Sequence, residues 1–245
     1  PDHWLHPKQG TDAALAFAFG HVILKEFHVD KPADYFIDYC RQYTDMPLLV
    51  RLERRADGRL VPERFLRASD LGGLGESNNP EWKTLAFDEK SDQVTVPNGS
   101  VGFRWGEKGK WNIEEKDSAG RETRLRLSLK DAHDGIEAVS FPYFGGVEHD
   151  RFTASKFSDI LERHIPVRRL KLSDGKQWEV ATVYDLLLAH YGVDRGFGGG
   201  NVAANYDQDL PGTPAWQERI TGVPRAEVIE IAREFADTAA KTRGR

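Results

Sequence analysis

The chain has 245 residues, of which 34 are basic and 39 acidic, for a formal charge of -5 and a pI near 5.9. That balance gives no electrostatic footprint for nucleic acid or an anionic membrane. The single cysteine, Cys40, excludes an internal disulfide and any iron–sulfur or thiolate-zinc site made by this chain alone.

The stretch Gln9–Phe27, QGTDAALAFAFGHVILKEF, reads as a helix entered through a Gly-Thr-Asp turn. Gly10 frees the backbone just before the start, the Thr11 hydroxyl is placed to cap the first N–H groups, and Asp12 sits at the positive end of the helix. From Ala13 the residues are small or apolar on nearly every side, with Leu15, Phe19, Ile23 and Phe27 along one line, the pattern of a buried helix. The apolar run Ala13–Leu24, broken by Gly20 and His21, is about 12 residues long and falls short of the roughly 20 that span a bilayer. Two readings stay open for the turn: a capped core helix, or a rigid turn that offers converging N–H groups and a hydroxyl to a ligand. Asp30-Lys31-Pro32 then predicts a second helix from about Pro32 to Tyr43, with Tyr35, Phe36, Tyr39 and Cys40 at helical spacing. Cys40 reads as a small buried hydrophobe rather than a nucleophile.

From Leu48 to about Val183 the texture changes to short alternating segments separated by Asp-Gly and Asn-Gly turns, and antiparallel pairing is the economical expectation. Leu48–Arg54 with Arg59–Phe65 predicts one hairpin across Asp57-Gly58, and Leu170–Leu172 with Trp178–Val183 another across Asp174-Gly175. Trp82–Phe87 with Gln93–Val96, and Lys110–Glu115 with Thr123–Leu129, suggest two further pairs. Helical spacing returns at Tyr184–Tyr191, closed by Gly192. Gly196, Gly198-Gly199-Gly200 and Asn201–Asp209 predict an irregular stretch. Thr213-Pro214 opens a short helix that ends at Ile220–Val223, and Pro224 starts a last helix whose apolar stripe is Val228, Ile231, Ala232, Phe235 and Ala239.

Chemical fingerprints are sparse. No H-E-x-x-H pair, G-x-S-x-G elbow, Walker loop or strand-borne G-x-G-x-x-G is present. Gly72-Gly73-Leu74-Gly75 lacks a following Gly-Lys-Ser/Thr and reads as a loop, and Glu114-Glu115 reads as a solvated hairpin face. The aromatic and basic cluster Phe103–Trp111 suits base stacking, against which the acidic total argues, or a turn in which Trp105 and Trp111 pack under lysine stems. Ser140–Gly146, rich in aromatics, suits a channel lining or an interface. Pro1-Asp2-His3-Trp4 carries neither an initiator Met nor a signal-peptide pattern, and the tail at Lys241–Arg245 has no obvious terminator, so an excerpt of a longer polypeptide is expected.

Several segments carry a resemblance: HPKQGTDAALAFAFGHVILKEFHVDKP, YTDMPLLVRLE, NNPEWKTLAFD, PNGSVGFRWGEKGKWN, FPYFGG, ATVYDL and TPAWQERITGVPRAEVIEIAREFAD. On them the chain closely resembles a central segment of the alpha subunits of bacterial membrane-bound respiratory nitrate reductases. The resemblance implies an α+β chain whose terminal helices bracket a β-rich, mainly antiparallel insertion, all part of a larger molybdopterin oxidoreductase fold. Residues 1–45 and 211–245 would belong to the molybdopterin-binding domain, and residues 46–210 to the insertion, with 48–183 mostly antiparallel β and a helix near 184–191. It further implies a molybdenum bis-molybdopterin guanine dinucleotide cofactor and a 4Fe-4S cluster whose ligands lie outside this chain. The implied partners are an iron–sulfur beta subunit and a membrane haem gamma subunit, at the cytoplasmic face of the bacterial inner membrane. The implied reaction takes nitrate to nitrite with electrons from quinol.

Gly10, Thr11 and Asp12 are the positions the resemblance assigns to cofactor contact, with Gly10 admitting close backbone approach, Thr11 donating its hydroxyl and the Asp12 carboxylate accepting from guanine N–H groups. It assigns no catalytic residue and no metal ligand to this chain, which alone would be inactive. The alternatives are a non-catalytic β-rich interaction module and another molybdopterin oxidoreductase of the same superfamily.

Overall fold

The structure is a computed structural model and describes residues 3–72, 78–99, 113–117, 119–142 and 160–242. Gly73–Gly75, the Phe103–Trp111 cluster, Tyr143–Gly146 and the 110–112 start of a predicted strand lie outside the described residues. In chain order the helices are α1 (Asp12–Leu24), continued by a π-helical segment (Lys25–Asp30), α2 (Asp34–Tyr43), α3 (Val183–His190), α4 (Pro214–Thr221) and α5 (Arg225–Thr242). The strands are β1 (Leu49–Arg54), β2 (Leu60–Phe65), β3 (Ala86–Phe87), β4 (Val94–Thr95), β5 (Pro97–Gly99), β6 (Ile113–Asp117), β7 (Gly135–Pro142), β8 (Ile160–Lys171) and β9 (Gln177–Thr182). The fold is mixed helix and strand with antiparallel sheets, and the chain divides into two compact units.

The first unit comprises Pro1–Phe36, Ser140–His164 and Leu188–Arg245. Here α1 packs on α4 and α5, with Ala14, Trp216 and Ile220 in one cluster and Ala18, Val223 and Val228 in another. The burial of α1 differs from the sequence expectation. Its buried side is Ala14, Ala18, His21, Val22 and Leu24, while Leu15, Phe19, Ile23 and Phe27 are half-buried and Ala13 and Ala16 exposed. The alanines set this side, because small side chains let the partner helices approach closely. The α-helical register also ends before Phe27, where Lys31 N–H bonds the Glu26 carbonyl five residues back at 3.0 Å. On α5 the buried line is Val228, Ala232 and Ala236, with Ile231 and Ala239 half-buried. Phe235, predicted on the buried stripe, is 68% exposed.

The predicted cap-then-proline start of α4 is present: Thr213 Oγ1 accepts from Trp216 N–H at 3.2 Å. Gly222 ends the helix at φ 79°. Gly192 follows α3 at φ 73°, as a helix C-terminal glycine does, and its N–H bonds the Ala189 carbonyl at 2.9 Å.

The second unit comprises Ile37–Val139 and Ile165–Leu187. Strands close into a barrel in the order β1-β2-β7-β8-β9. The two predicted hairpins supply β1–β2 and β8–β9, both antiparallel. Two features depart from expectation. β7 is a strand the alternation did not reveal, and it pairs parallel with β2 at Leu60 and Val139, so the pairing is not antiparallel throughout. The ladder partner of β6 is β5, and Thr123–Leu129 forms no strand, meeting β6 only at its start, where Thr123 N–H bonds the Glu115 carbonyl at 3.0 Å. Its backbone instead runs beside β3, with Arg126 N–H on the Phe87 carbonyl at 2.8 Å and Glu89 N–H on the Arg124 carbonyl at 2.7 Å. Asp88 helps hold that course, its carboxylate accepting from the Arg124 backbone N–H at 2.8 Å, while the Asp117 carboxylate accepts from Arg121 N–H and closes the turn out of β6. β3 and β4 pair as predicted but are two residues each. The barrel core gathers Leu49, Leu66, Leu85, Phe87, Leu129 and Val180. Cys40 is buried, and burial pushes its thiol up to about 11, in keeping with an inert packing role.

Candidate functional site

The site begins at the turn that leads into α1. Gly10 has φ 79°, a left-handed conformation that favours glycine, and no atom lies within 4 Å of where its Cβ would be, so the backbone there is open to approach. Thr11 is buried, and its hydroxyl corrects the sequence expectation. Instead of capping α1 it donates to the Lys8 carbonyl at 2.5 Å. The physical reason is its backbone, at φ -113° and ψ 12°, which departs from the extended conformation that turns a capping oxygen toward the helix N–H groups. The hydroxyl oxygen keeps its acceptor lone pairs but has given its proton to the chain. Lys8 N–H in turn bonds the Thr221 carbonyl at 2.9 Å, anchoring the turn to the end of α4. Asp12 is exposed in the first turn of α1, where the helix dipole favours its carboxylate.

One turn farther along, α1 meets the loop that follows α3. Phe17 stacks on Tyr191 at 4.6 Å, and His21 Nδ1 lies 2.8 Å from the Tyr191 carbonyl. A carbonyl only accepts, so Nδ1 carries the proton and Nε2 is the bare nitrogen. Burial lowers the His21 pKa to about 4, which keeps the ring neutral.

Below this loop lies a feature the sequence did not signal. Arg163, 1% exposed, donates Nε to the Asn201 carbonyl at 3.0 Å and Nη1 to the carbonyls of Ala189 and His190 at 2.8 and 2.6 Å. Its Nη2 donates to the Pro211 carbonyl at 2.8 Å. Burial lowers the guanidinium pKa to about 10, so it remains a cation near neutral pH, solvated by main-chain dipoles. The same burial, with Arg163 adding to it, lowers the pKa of His190. The glycine-rich stretch is therefore ordered from beneath by a side chain about forty positions earlier in the chain. Gly192 must be glycine here, since a Cβ would stand 2.8 Å from Arg163 Nη2.

A second tie joins the loop to both terminal segments. Tyr206 Oη donates to Glu26 Oε1 at 2.9 Å, and Arg233 clamps the same carboxylate through Nε and Nη2 at 2.8 and 2.7 Å. The Arg233 hydrogen bonds hold Glu26 below the usual carboxylate range, and burial raises the Tyr206 hydroxyl well above its ordinary value. Of the predicted residues, Gly10, Thr11 and Asp12 thus share one turn. Nothing in the sequence groups Arg163, His21, Tyr191, Tyr206, Glu26 and Arg233, and of these only His21, a polar break in an apolar run, leaves a mark there.

No family model matches the chain. Against curated proteins it is 60% identical over all 245 residues to the respiratory nitrate reductase 2 alpha chain of Escherichia coli K12. It is 41% identical over 245 residues to the nitrate reductase alpha chain of Bacillus subtilis 168. This chain matches a segment of respiratory nitrate reductase alpha chains. It spans about a fifth of their length, 20% of the Escherichia coli protein and 19% of the Bacillus one. A more distant similarity, 27% over 237 residues, is to the perchlorate reductase subunit alpha of Dechloromonas aromatica. No helix among the described residues is long and apolar enough to cross a membrane.

Proposed function

We propose that this chain is part of the catalytic alpha subunit of a respiratory nitrate reductase, which passes two electrons and two protons to nitrate to give nitrite and water. The observation that carries the reading is the 60% identity over every residue of the chain. The complete subunit would hold molybdenum in a bis-molybdopterin guanine dinucleotide cofactor and a 4Fe-4S cluster ligated outside this chain. When bound, that cofactor supplies two-electron oxygen-atom chemistry; this chain contributes binding and orientation.

The residues of the turn fit that role in two of three cases. Gly10 offers open backbone at positive φ, and Asp12 presents an exposed carboxylate at a helix start. Thr11 fits as the residue that fixes the turn, because its proton already goes to Lys8. A carboxylate repels phosphate, so Asp12 belongs beside the guanine, accepting from its N–H groups, with Gly10 against the adjoining chain of the cofactor.

On this reading residues 1–45 and 211–245 are parts of the molybdopterin-binding domain that bracket a β-rich insertion, 46–210; the packing of α1 on α4 and α5 supports it. An iron–sulfur beta subunit and a haem gamma subunit would hold the enzyme at the cytoplasmic face of the inner membrane. The test is nitrate-dependent oxidation of a reduced dye by the complete polypeptide with its metal and nucleotide content measured. Turnover of perchlorate with none of nitrate would favour the second reading, a related oxyanion reductase, for which the Dechloromonas similarity speaks.

A further inference from the structure

On α5, Glu230 and Glu234 stand four residues apart, neighbours on one face of the helix, and the N-terminal segment brings His3 against them. His3 Nε2 lies 3.8 Å from Glu234 Oε2. One ligand atom from each of the three side chains lies within 4.8 Å of the other two, and all three residues are exposed. At 3.8 Å the imidazole and the carboxylate are not hydrogen-bonded to each other. Two like charges on one helix face repel, and the neighbouring cation is turned away. Arg233, three residues after Glu230, gives its guanidinium to Glu26 through two hydrogen bonds.

The geometry points to a divalent transition-metal site, suited to zinc, formed by His3, Glu230 and Glu234. Zinc bonds to nitrogen and oxygen of about 2.0–2.2 Å put the donors of a tetrahedral site about 3.3–3.6 Å apart. The three exposed side chains would have to draw together from separations of up to 4.8 Å, with water in the fourth position. An imidazole with two carboxylates selects zinc, copper or nickel over magnesium and calcium, which prefer all-oxygen shells. The bound ion would fasten the segment around His3 to α5. This inference uses none of the residues of the Gly10–Asp12 turn and does not depend on the reductase reading.

The experiment is zinc titration of the complete polypeptide that carries this chain, by equilibrium dialysis in millimolar magnesium, with anomalous diffraction at the zinc edge. Zinc is distinguished by element from any molybdenum or iron present. The expected result is an anomalous peak bonded to all three side chains, with affinity for that zinc lowered about tenfold or more by His3→Gln and by Glu234→Gln. Both positions are exposed in this chain, and circular dichroism of the variants checks that the fold is kept. Zinc uptake equal in the parent and both variants, or no peak between the three residues, would overturn the assignment.

Discussion

The ring of Tyr191 fills the space in which a Gly20 side chain would stand: a Cβ on Gly20 would lie 2.1 Å from its Cε1 and 2.7 Å from its Cδ1. Gly20 is the notch in α1 that lets the loop after α3 lie flat on the helix, where the same ring stacks on Phe17. An alanine in mid-helix ordinarily gains roughly 0.5–1 kcal/mol over glycine. Here overpacking of about 1–3 kcal/mol opposes that gain, so Gly20→Ala should destabilise by about 1–2 kcal/mol. Urea unfolding reads it, and the Gly20→Ala, Tyr191→Ala double variant should lose less than the sum of the two singles. A raised midpoint for Gly20→Ala would contradict the packing.

Arg163 tests a different kind of burial. Arg163→Met removes the guanidinium that donates to the carbonyls of Ala189, His190, Asn201 and Pro211, of which Ala189 keeps the Gly192 N–H. Buried acceptors left without donors cost about 1–3 kcal/mol each, so even with water entering at some of them the loss should reach about 3–5 kcal/mol. Arg163→Lys, with a compact ammonium in place of the planar fork, should recover only part of it. Hydrogen exchange should rise first at the amides between Tyr191 and Gly212. Unchanged exchange there would reduce Arg163 to a bystander.

Much of this architecture is legible in the sequence. Thr213-Pro214 and Gly222 announce α4 because caps and breakers act through neighbours in sequence, and Asp57-Gly58 and Asp174-Gly175 announce their hairpins for the same reason. What escaped is decided by distance along the chain. β7 shares its barrel with strands far away in sequence, and nothing local in GIEAVSFP marks a parallel partner. Arg163 lies in a strand and reads as one more charged residue until the loop carbonyls close around it. Glu26 and Arg233 meet across 207 positions. Thr11 was legible as a residue of the turn but not in its bond, because the choice between capping α1 and binding Lys8 depends on a ψ angle that composition does not encode.

Burial of His21 carries a signature in pH. In the unfolded chain histidine titrates near 6.5, whereas burial in the fold lowers this group to about 4. The unfolded state therefore takes up the additional proton between those values, so stability is full above about pH 6.5, falls through the window and gains no further loss from His21 below about pH 4. The integrated effect is about 3 kcal/mol. His28, also lowered to about 4 by burial, acts in the same direction. Glu26, held low by Arg233, loses its share only as pH falls from the ordinary glutamate range, near 4.3, downward. Urea midpoints from pH 7 to pH 4.5 should fall less steeply for His21→Gln than for the parent. Parallel slopes would show that His21 does not titrate in this way.

Asp12 bears most of the functional reading. As a first-turn acid that only complements the helix dipole, its change to asparagine should cost from a few tenths to about 1 kcal/mol of stability and leave the cofactor in place. As an acceptor for guanine, the outcome differs, because the amide offers one oxygen and one N–H₂ where two acceptors are needed, and that N–H₂ faces a donor. Losing a charge-assisted bond and leaving its partner unpaired should cost about 1.5–3 kcal/mol, roughly ten- to a hundredfold in cofactor affinity. The comparison belongs in the complete enzyme complex, with molybdenum and guanine nucleotide measured per folded protein for the parent, Asp12→Asn and Asp12→Glu. Because Asp12 is exposed and the turn is held through Thr11 and Lys8, the fold should survive both changes, and Asp12→Glu should retain more nucleotide than Asp12→Asn. Full occupancy with unchanged nitrate turnover in Asp12→Asn would reduce the residue to a helix start and leave the open backbone at Gly10 as the remaining contact of this turn.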